Sequence, residues 1–419
     1  MTQEIGCLIV FGVAAVVTFT LTFGVRKVTV AKHLVVMPDA QRVHAIPTPT
    51  FGGVGMLAGL GAAIGVASAL PSFSSSFQGS SEPLGVLAGT LVIFVVGFVD
   101  DWREVSAPAK VAGQVLAAMV LYFLGVTMSH FKVPFAGFIV LSPSILPLVT
   151  ALWVVGIANA INLIDGLDGL AAGVVAIASA SLCAYGLRLE DLGVLTSNPP
   201  NLGPIVAAAA CGLCVGFLPH NFHRAKIFMG DTGAMVLGLL MAASTMLIGG
   251  QSYDYSGVTY FFFAPLLVPL VILGVPILDT AFAIVRRTAR RSGLAARDLG
   301  HLHHRLMRLG HGHRRAVLLL WAWTFVLSGL VLYPSFSPQW NDAIPIGIAV
   351  LGVGLYTVFR PGRGRDAINA AVPANGPRPS AEEAGLAPIG SGDDRDRRSG
   401  QHGPVHRRRF ARHKPPRRG

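Results

Sequence analysis

The sequence predicts an all-α, polytopic membrane protein of about eleven transmembrane helices whose polar loops gather on the cytoplasmic side. Three observations carry that expectation. Of 419 residues, 52% are hydrophobic and only 13% are charged. Apolar windows of about 20 residues, the length that crosses a bilayer as a helix, recur along the chain. The basic residues then sort the intervening loops onto alternating sides without a forced exception.

The windows fall near 5–25, 52–71, 84–100, 107–128, 144–162, 169–186, 203–219, 232–250, 259–285, 316–333 and 343–360. No basic segment precedes the first window and no small-residue cleavage signal follows it, so it reads as a retained helix. Arg26, Lys27, Lys32, Arg42, Arg103, Arg224, Lys226 and the Arg-rich stretch from Arg286 to Arg315 fall on one side. Only Lys132 and Arg188 fall on the other. The positive-inside rule makes the crowded side cytoplasmic, with the N-terminus outside and the C-terminus inside. The outer loops hold no recognisable chemistry.

From Pro361 the chain is rich in Pro, Gly, Ser and Arg without apolar periodicity, so residues 1–360 read as the membrane domain and 361–419 as a disordered basic tail. The formal charge of +12 sits largely in that tail and does not point to nucleic acid. Its terminal arginines suit anionic head groups, against the plainer reading of a solvated tail. Cys7, Cys183, Cys211 and Cys214 all lie in apolar windows, so the C-x-x-C at 211–214 reads as helix packing rather than a redox pair.

The centre of the sequence is ALWVVGIANAINLIDGLDGLAAG, residues 151–173. Asn159, Asn162, Asp165 and Asp168 recur every three residues, a spacing that stacks side chains on one side of a helical turn. Each Asp-Gly step suits a tight turn. Two apolar helices therefore meet in a polar elbow, read as the floor of a site; a solvated loop is the plain alternative.

Other loops of the same sidedness add to it. Asp100 and Asp101 end the third window; two carboxylates at ~6 Å and an effective dielectric of ~20 repel by roughly 3 kcal/mol. If they converge with Asp165, Asp168 and Asp231, a cation or raised pKa values must relieve the repulsion. All-oxygen ligands favour Mg²⁺, with Mn²⁺ as the alternative, over zinc. LPHNFHRAKIFMGDTGAM offers Asn221, His223, Arg224, Lys226 and Phe228 before Asp231, which opens the eighth window as an N-cap or as part of a metal–phosphate cluster. Phe228 suits stacking on a base or plain packing. His301, His303 and His304 with Arg305 suit a diphosphate better than zinc. Gly52 and Gly53 would allow close backbone approach. Asp279 is the one carboxylate placed inside a membrane helix.

These motifs, D-D (Asp100–Asp101), N-x-x-N-x-x-D-G-x-D-G-L (Asn159–Leu170), F-M-G-D-T-G (Phe228–Gly233) and H-x-H-H-R-L (His301–Leu306), resemble those of the polyprenyl-phosphate N-acetylhexosamine-1-phosphate transferases. H-L-H-H-R-L, and Arg42-x-His44 ahead of PTPTFGG, resemble the WecA/TagO branch more than the MraY branch. The resemblance covers all eleven windows and implies an MraY-like fold. It implies transfer of GlcNAc-1-phosphate from UDP-GlcNAc to a polyprenyl phosphate in the bilayer, with Mg²⁺ and release of UMP. It further implies Asp100, Asp101 and Asp165 as catalytic carboxylates, Asp100 being the base or orienter of the lipid phosphate, with an aspartyl intermediate left open. Asp231, Asn162 and Asp101 would hold the metal. Asp168, Asn221, Phe228, His301, His303, His304 and Arg305 would bind the nucleotide sugar, and Lys110 and His44 would meet the lipid phosphate. A homodimer is left open. Phospho-MurNAc-pentapeptide transfer is the alternative within the family. A transporter is the alternative outside it, disfavoured because the ionisable residues gather at helix ends rather than at mid-membrane.

Overall fold

The computed structural model describes residues 2–32, 35–36, 48–103, 105–133, 137–193, 195, 199–249, 312–336, 347–350 and 352–354. Within them the chain is a helical bundle. Its helices are α1 (Gln3–Ala31), α2 (Gly52–Ala69), the short α3 (Ser74–Gln78), α4 (Glu82–Trp102), α5 (Ala107–Phe123), α6 (Leu146–Ile164), α7 (Leu170–Asp191), α8 (Leu202–Asn221), α9 (Gly230–Gly249) and α10 (His313–Phe336). Seven of these, α1, α2, α4, α6, α7, α8 and α9, are long and apolar enough to cross a membrane, and α5 is a shorter apolar helix.

Nine of the eleven predicted windows coincide with a helix. The window at 259–285 and the tail 361–419 lie outside the described residues, and 343–360 is described only at 347–350 and 352–354, which are helical. The loops depart from an all-helical reading in two places. β1 (Val35–Val36) pairs antiparallel with β2 (Thr48–Pro49), and β3 (His130–Val133) with β4 (Gly137–Val140). Phe131, Val133, Phe138, Ile139 and Val140 are strand-prone, which accounts for the second hairpin.

Burial grades from the rim to the axis. α1, α4 and α6 leave Leu8, Val16, Leu84, Leu91, Leu148 and Leu152 exposed, as lipid-facing side chains should be. The apolar span of α9 is entirely buried and packs on α2, α4, α6, α7 and α8. Between helices in lipid, close approach and polar links replace the hydrophobic drive. A Cβ on Gly238 of α9 would stand 2.5 Å from the Cα of Ala158 on α6, so glycine sets that contact. Gln114 of α5, fully buried, accepts from Asn159 of α6 at 2.7 Å. The four cysteines are free thiols.

Candidate active site

The start of α9 is clamped from two sides. Asp101, at the end of α4, accepts from the backbone N–H of Asp231 (2.8 Å) and of Thr232 (3.1 Å), and from the Thr232 hydroxyl. It therefore caps a helix remote in sequence, meeting the unpaired donors and the positive dipole end of α9. Gly230 turns into α9 at φ +70, where a side chain would be strained and would strike the Asp101 carboxylate. On the opposite side, Gly52 and Gly53 at the start of α2 donate to the carbonyls of Phe228 (3.0 Å) and Met229 (3.1 Å). A Cβ on Gly53 would lie 2.5 Å from the Gly233 nitrogen, the close approach expected of this pair. Phe51 caps α2 in the left-handed region at φ 75.

So held, Asp231 points into a cluster built by four helices. One of its oxygens accepts from Asn162 of α6 at 2.9 Å; the other meets the ammonium of Lys110 on α5. Lys110 also donates to Asp100 of α4 at 2.9 Å, and the second Asp100 oxygen accepts from the Val105 N–H at 2.8 Å. Lys110 thus bridges Asp100 and Asp231 from within the carboxylate group.

Asp165 ends α6 as its C-cap. Its carboxyl is pushed up to about 8, first by burial and then by the charges of Asp231, Asp101 and Asp168. Among the described residues no donor reaches that carboxylate. Among the described residues, Lys110 is the one ammonium that pairs with this group, on Asp100 and Asp231, while the charges of Asp231, Asp101 and Asp168 all act on Asp165, so the described cluster carries more carboxylates than cations. That donor set fits a hard divalent ion such as Mg²⁺. Asp165, Asp231, Asn162 and Asp100 carry oxygens that would serve such an ion, and so does Asp101, whose oxygens also cap α9.

A second grouping lies beside the first. Asp168, almost fully buried, accepts from the Ala225 N–H at 3.1 Å, with His223 Nδ1 at 3.4 Å and His313 Nε2 at 4.0 Å from the same oxygen. Asn221 is buried with both ends of its amide on backbone: its oxygen accepts from Gly169 N–H at 2.9 Å and its nitrogen donates to Ile227 carbonyl at 3.1 Å. It ties the elbow to the α8–α9 loop. Phe228, partly exposed, borders the same loop.

Asn159 and Asn162 look into the same α5–α9 cleft, and the direction changes after the helix ends. Asn159 turns to Gln114, Asn162 to Asp231, and Asp168 to Ala225 and His223, while Asp165 has no hydrogen-bonding partner among the described residues. The helix stops at Ile164, so beyond it a spacing of three no longer fixes direction.

With this geometry in place the comparisons are informative. The family described as glycosyl transferase family 4 matches residues 83–249, which holds every site residue described so far except the start of α2 and His313. A decaprenyl-phosphate N-acetylglucosaminephosphotransferase of Mycobacterium tuberculosis is 39% identical over 349 residues, covering 81% of this chain and 86% of that protein. This chain belongs to glycosyl transferase family 4. A probable undecaprenyl-phosphate N-acetylglucosaminyl 1-phosphate transferase of Bacillus subtilis is 35% identical over 350 residues, 83% of this chain and 90% of that protein. A phospho-N-acetylmuramoyl-pentapeptide-transferase of Desulforudis audaxviator is 34% identical over 305 residues, 68% of this chain and 84% of that protein.

In this family 4 chain the structure brings together Asp100, Asp101, Lys110, Asn162, Asp165 and Asp231, with Asp168 and Asn221 alongside. His44, His301, His303, His304, Arg305 and Asp279 lie outside the described residues. Three features go beyond the sequence reading. Lys110, expected at the lipid approach, also bridges two carboxylates; its place four residues into a helix that follows D-D across a short link is the available signal. Asp101, expected on a metal, also caps α9. His313 was not singled out, because nothing in its surroundings distinguishes it from the adjacent His and Arg residues.

Proposed function

We propose that the chain transfers GlcNAc-1-phosphate from UDP-GlcNAc to a polyprenyl phosphate at the cytoplasmic face of the plasma membrane, releasing UMP and leaving polyprenyl-diphosphate-GlcNAc. The observation that carries this reading is the convergence of Asp100, Asp165 and Asp231 with Lys110 at one end of the bundle, from helices spread over more than a hundred residues. The names of the mycobacterial and Bacillus relatives support the sugar and the lipid. The basic loops at the same end of the bundle support the cytoplasmic placing.

In the reaction an oxygen of the lipid phosphate attacks the phosphorus that bears the sugar, and the bond to the UMP phosphate breaks. Both reactants are anionic, so their repulsion is the first barrier. A bound Mg²⁺, held by Asp231 with Asn162 and Asp165, would neutralise diphosphate oxygens as a Lewis acid. Lys110 holds the Asp100 carboxylate in place, so Asp100 can accept a proton from, or orient, the incoming lipid phosphate. Lys110 itself reaches the same anion. Asp168 and Phe228 border the nucleotide–sugar end, and Asn221 holds the loop that carries Phe228. His301, His303, His304 and Arg305 are proposed to hold the diphosphate, and His44 to lie on the lipid approach. Residues 1–360 would carry the activity and 361–419 would not.

Membranes containing the protein, given radiolabelled UDP-GlcNAc, Mg²⁺ and polyprenyl phosphate, should yield labelled lipid and UMP in equal amounts. No labelled lipid from correctly inserted protein would refute the reading. UDP-MurNAc-pentapeptide in place of UDP-GlcNAc tests the muramyl alternative, which the Desulforudis relative keeps in view.

A further inference from the structure

We infer that Asp168, His223 and His313 form a binding site for a transition-metal ion of the zinc class, separate from the oxygen-rich cluster around Asp231. The three residues come from the α6–α7 elbow, the α8–α9 loop and the first residue of α10. One ligand atom from each lies within 4.8 Å of the other two.

The distances favour ligation over an ion pair. His223 Nδ1 stands 3.4 Å and His313 Nε2 4.0 Å from the same Asp168 oxygen, beyond ordinary hydrogen-bond length. A tetrahedral site with bonds of about 2.0–2.1 Å separates its ligands by about 3.3 Å, so one edge is already in place. The other edges need to close by at most about 1.5 Å, within reach of side-chain rotation. The imidazoles stack with centroids 4.7 Å apart and planes inclined by 30°. His223 Nδ1 is buried and makes no hydrogen bond. Imidazole and carboxylate donors together select zinc-class ions, while Mg²⁺ prefers oxygen alone. Three protein ligands leave a fourth position open.

The test uses full-length protein purified in detergent without a histidine tag, with Mg²⁺ saturating, titrated with Co²⁺ as a spectroscopic stand-in for zinc. The wild type should show the intense visible absorption of four-coordinate cobalt. His223→Gln and His313→Gln should each weaken that binding about tenfold or more, and the pair should abolish it. His402→Gln, in the tail, should leave it unchanged. His313→Cys supplies a gain of signal, since a thiolate ligand should add a sulfur-to-cobalt charge-transfer band. Superimposable titrations of wild type and the double variant would overturn the assignment, as would a six-coordinate spectrum alone or no new band in His313→Cys. None of these readouts depends on transferase turnover.

Discussion

Replacing Asp165 by asparagine should stabilise the metal-free protein while abolishing its activity. The unfolded carboxyl ionises near 3.8 and the folded one near 8. Between those values the unfolded chain binds fewer protons than the folded one, so stability falls as pH rises. The contribution is intact below the unfolded value, declines across the interval, and is fully lost above the folded value. At ~1.36 kcal/mol per pH interval, the ceiling is about 1.5 kcal/mol at pH 5 and about 4 kcal/mol at pH 7. The amide that replaces the carboxyl cannot ionise, so the variant should gain up to that amount, with the gap widening from pH 5 to pH 8 and then levelling. The assay is thermal unfolding in detergent with EDTA, followed by tryptophan fluorescence. A bound divalent ion favours the ionised carboxylate, so saturating Mg²⁺ should narrow the gap. A variant less stable than wild type at pH 7, or a gap that does not change with pH, would refute the electrostatic account.

Other substitutions test the remaining parts. Lys110→Met leaves Asp100 and Asp231 facing each other without their shared cation; it should lower turnover at least about 100-fold and destabilise the protein by about 1–3 kcal/mol, read from the labelled-lipid assay and from unfolding. Asp101→Ala removes the cap of α9 and should cost about 1–2 kcal/mol, with a loss of activity that follows the displaced Asp231; unchanged melting would contradict the capping role. Asp100→Asn and Asp231→Asn should each abolish transfer in normally inserted protein, whereas Cys211→Ala, a buried free thiol, should leave it unchanged. Truncation after Pro361 should leave turnover intact, checked by assaying the shortened chain in membranes.

Much of this was legible before any coordinates. Apolar windows locate helices well because lipid demands both their length and their hydrogen bonding, and the elbow at 159–169 stood out because polar residues are costly there. Sidedness placed Asp100, Asp165 and Asp231 at the same face and made their convergence a conditional expectation. What the sequence withheld were directions. Asp101 and Asp100 are neighbours, yet a helical step of about 100° sends one to cap α9 and the other to Lys110. Asn159 shares the spacing of the elbow but turns to Gln114, a pairing that depends on which helix packs beside α6. His223 and His313 are ninety residues apart, and only the docking of α10 at the elbow makes them neighbours. Hairpins in short loops leave too few residues for an alternation to register.

Because α9 shows no surface to the bilayer, it has no tolerant side. A scan of bulky replacements along it should damage the protein at every position, without the three-to-four-residue rhythm that a half-embedded helix displays. The residue at its mouth, Asp231, is therefore mounted on the least adjustable post in the molecule.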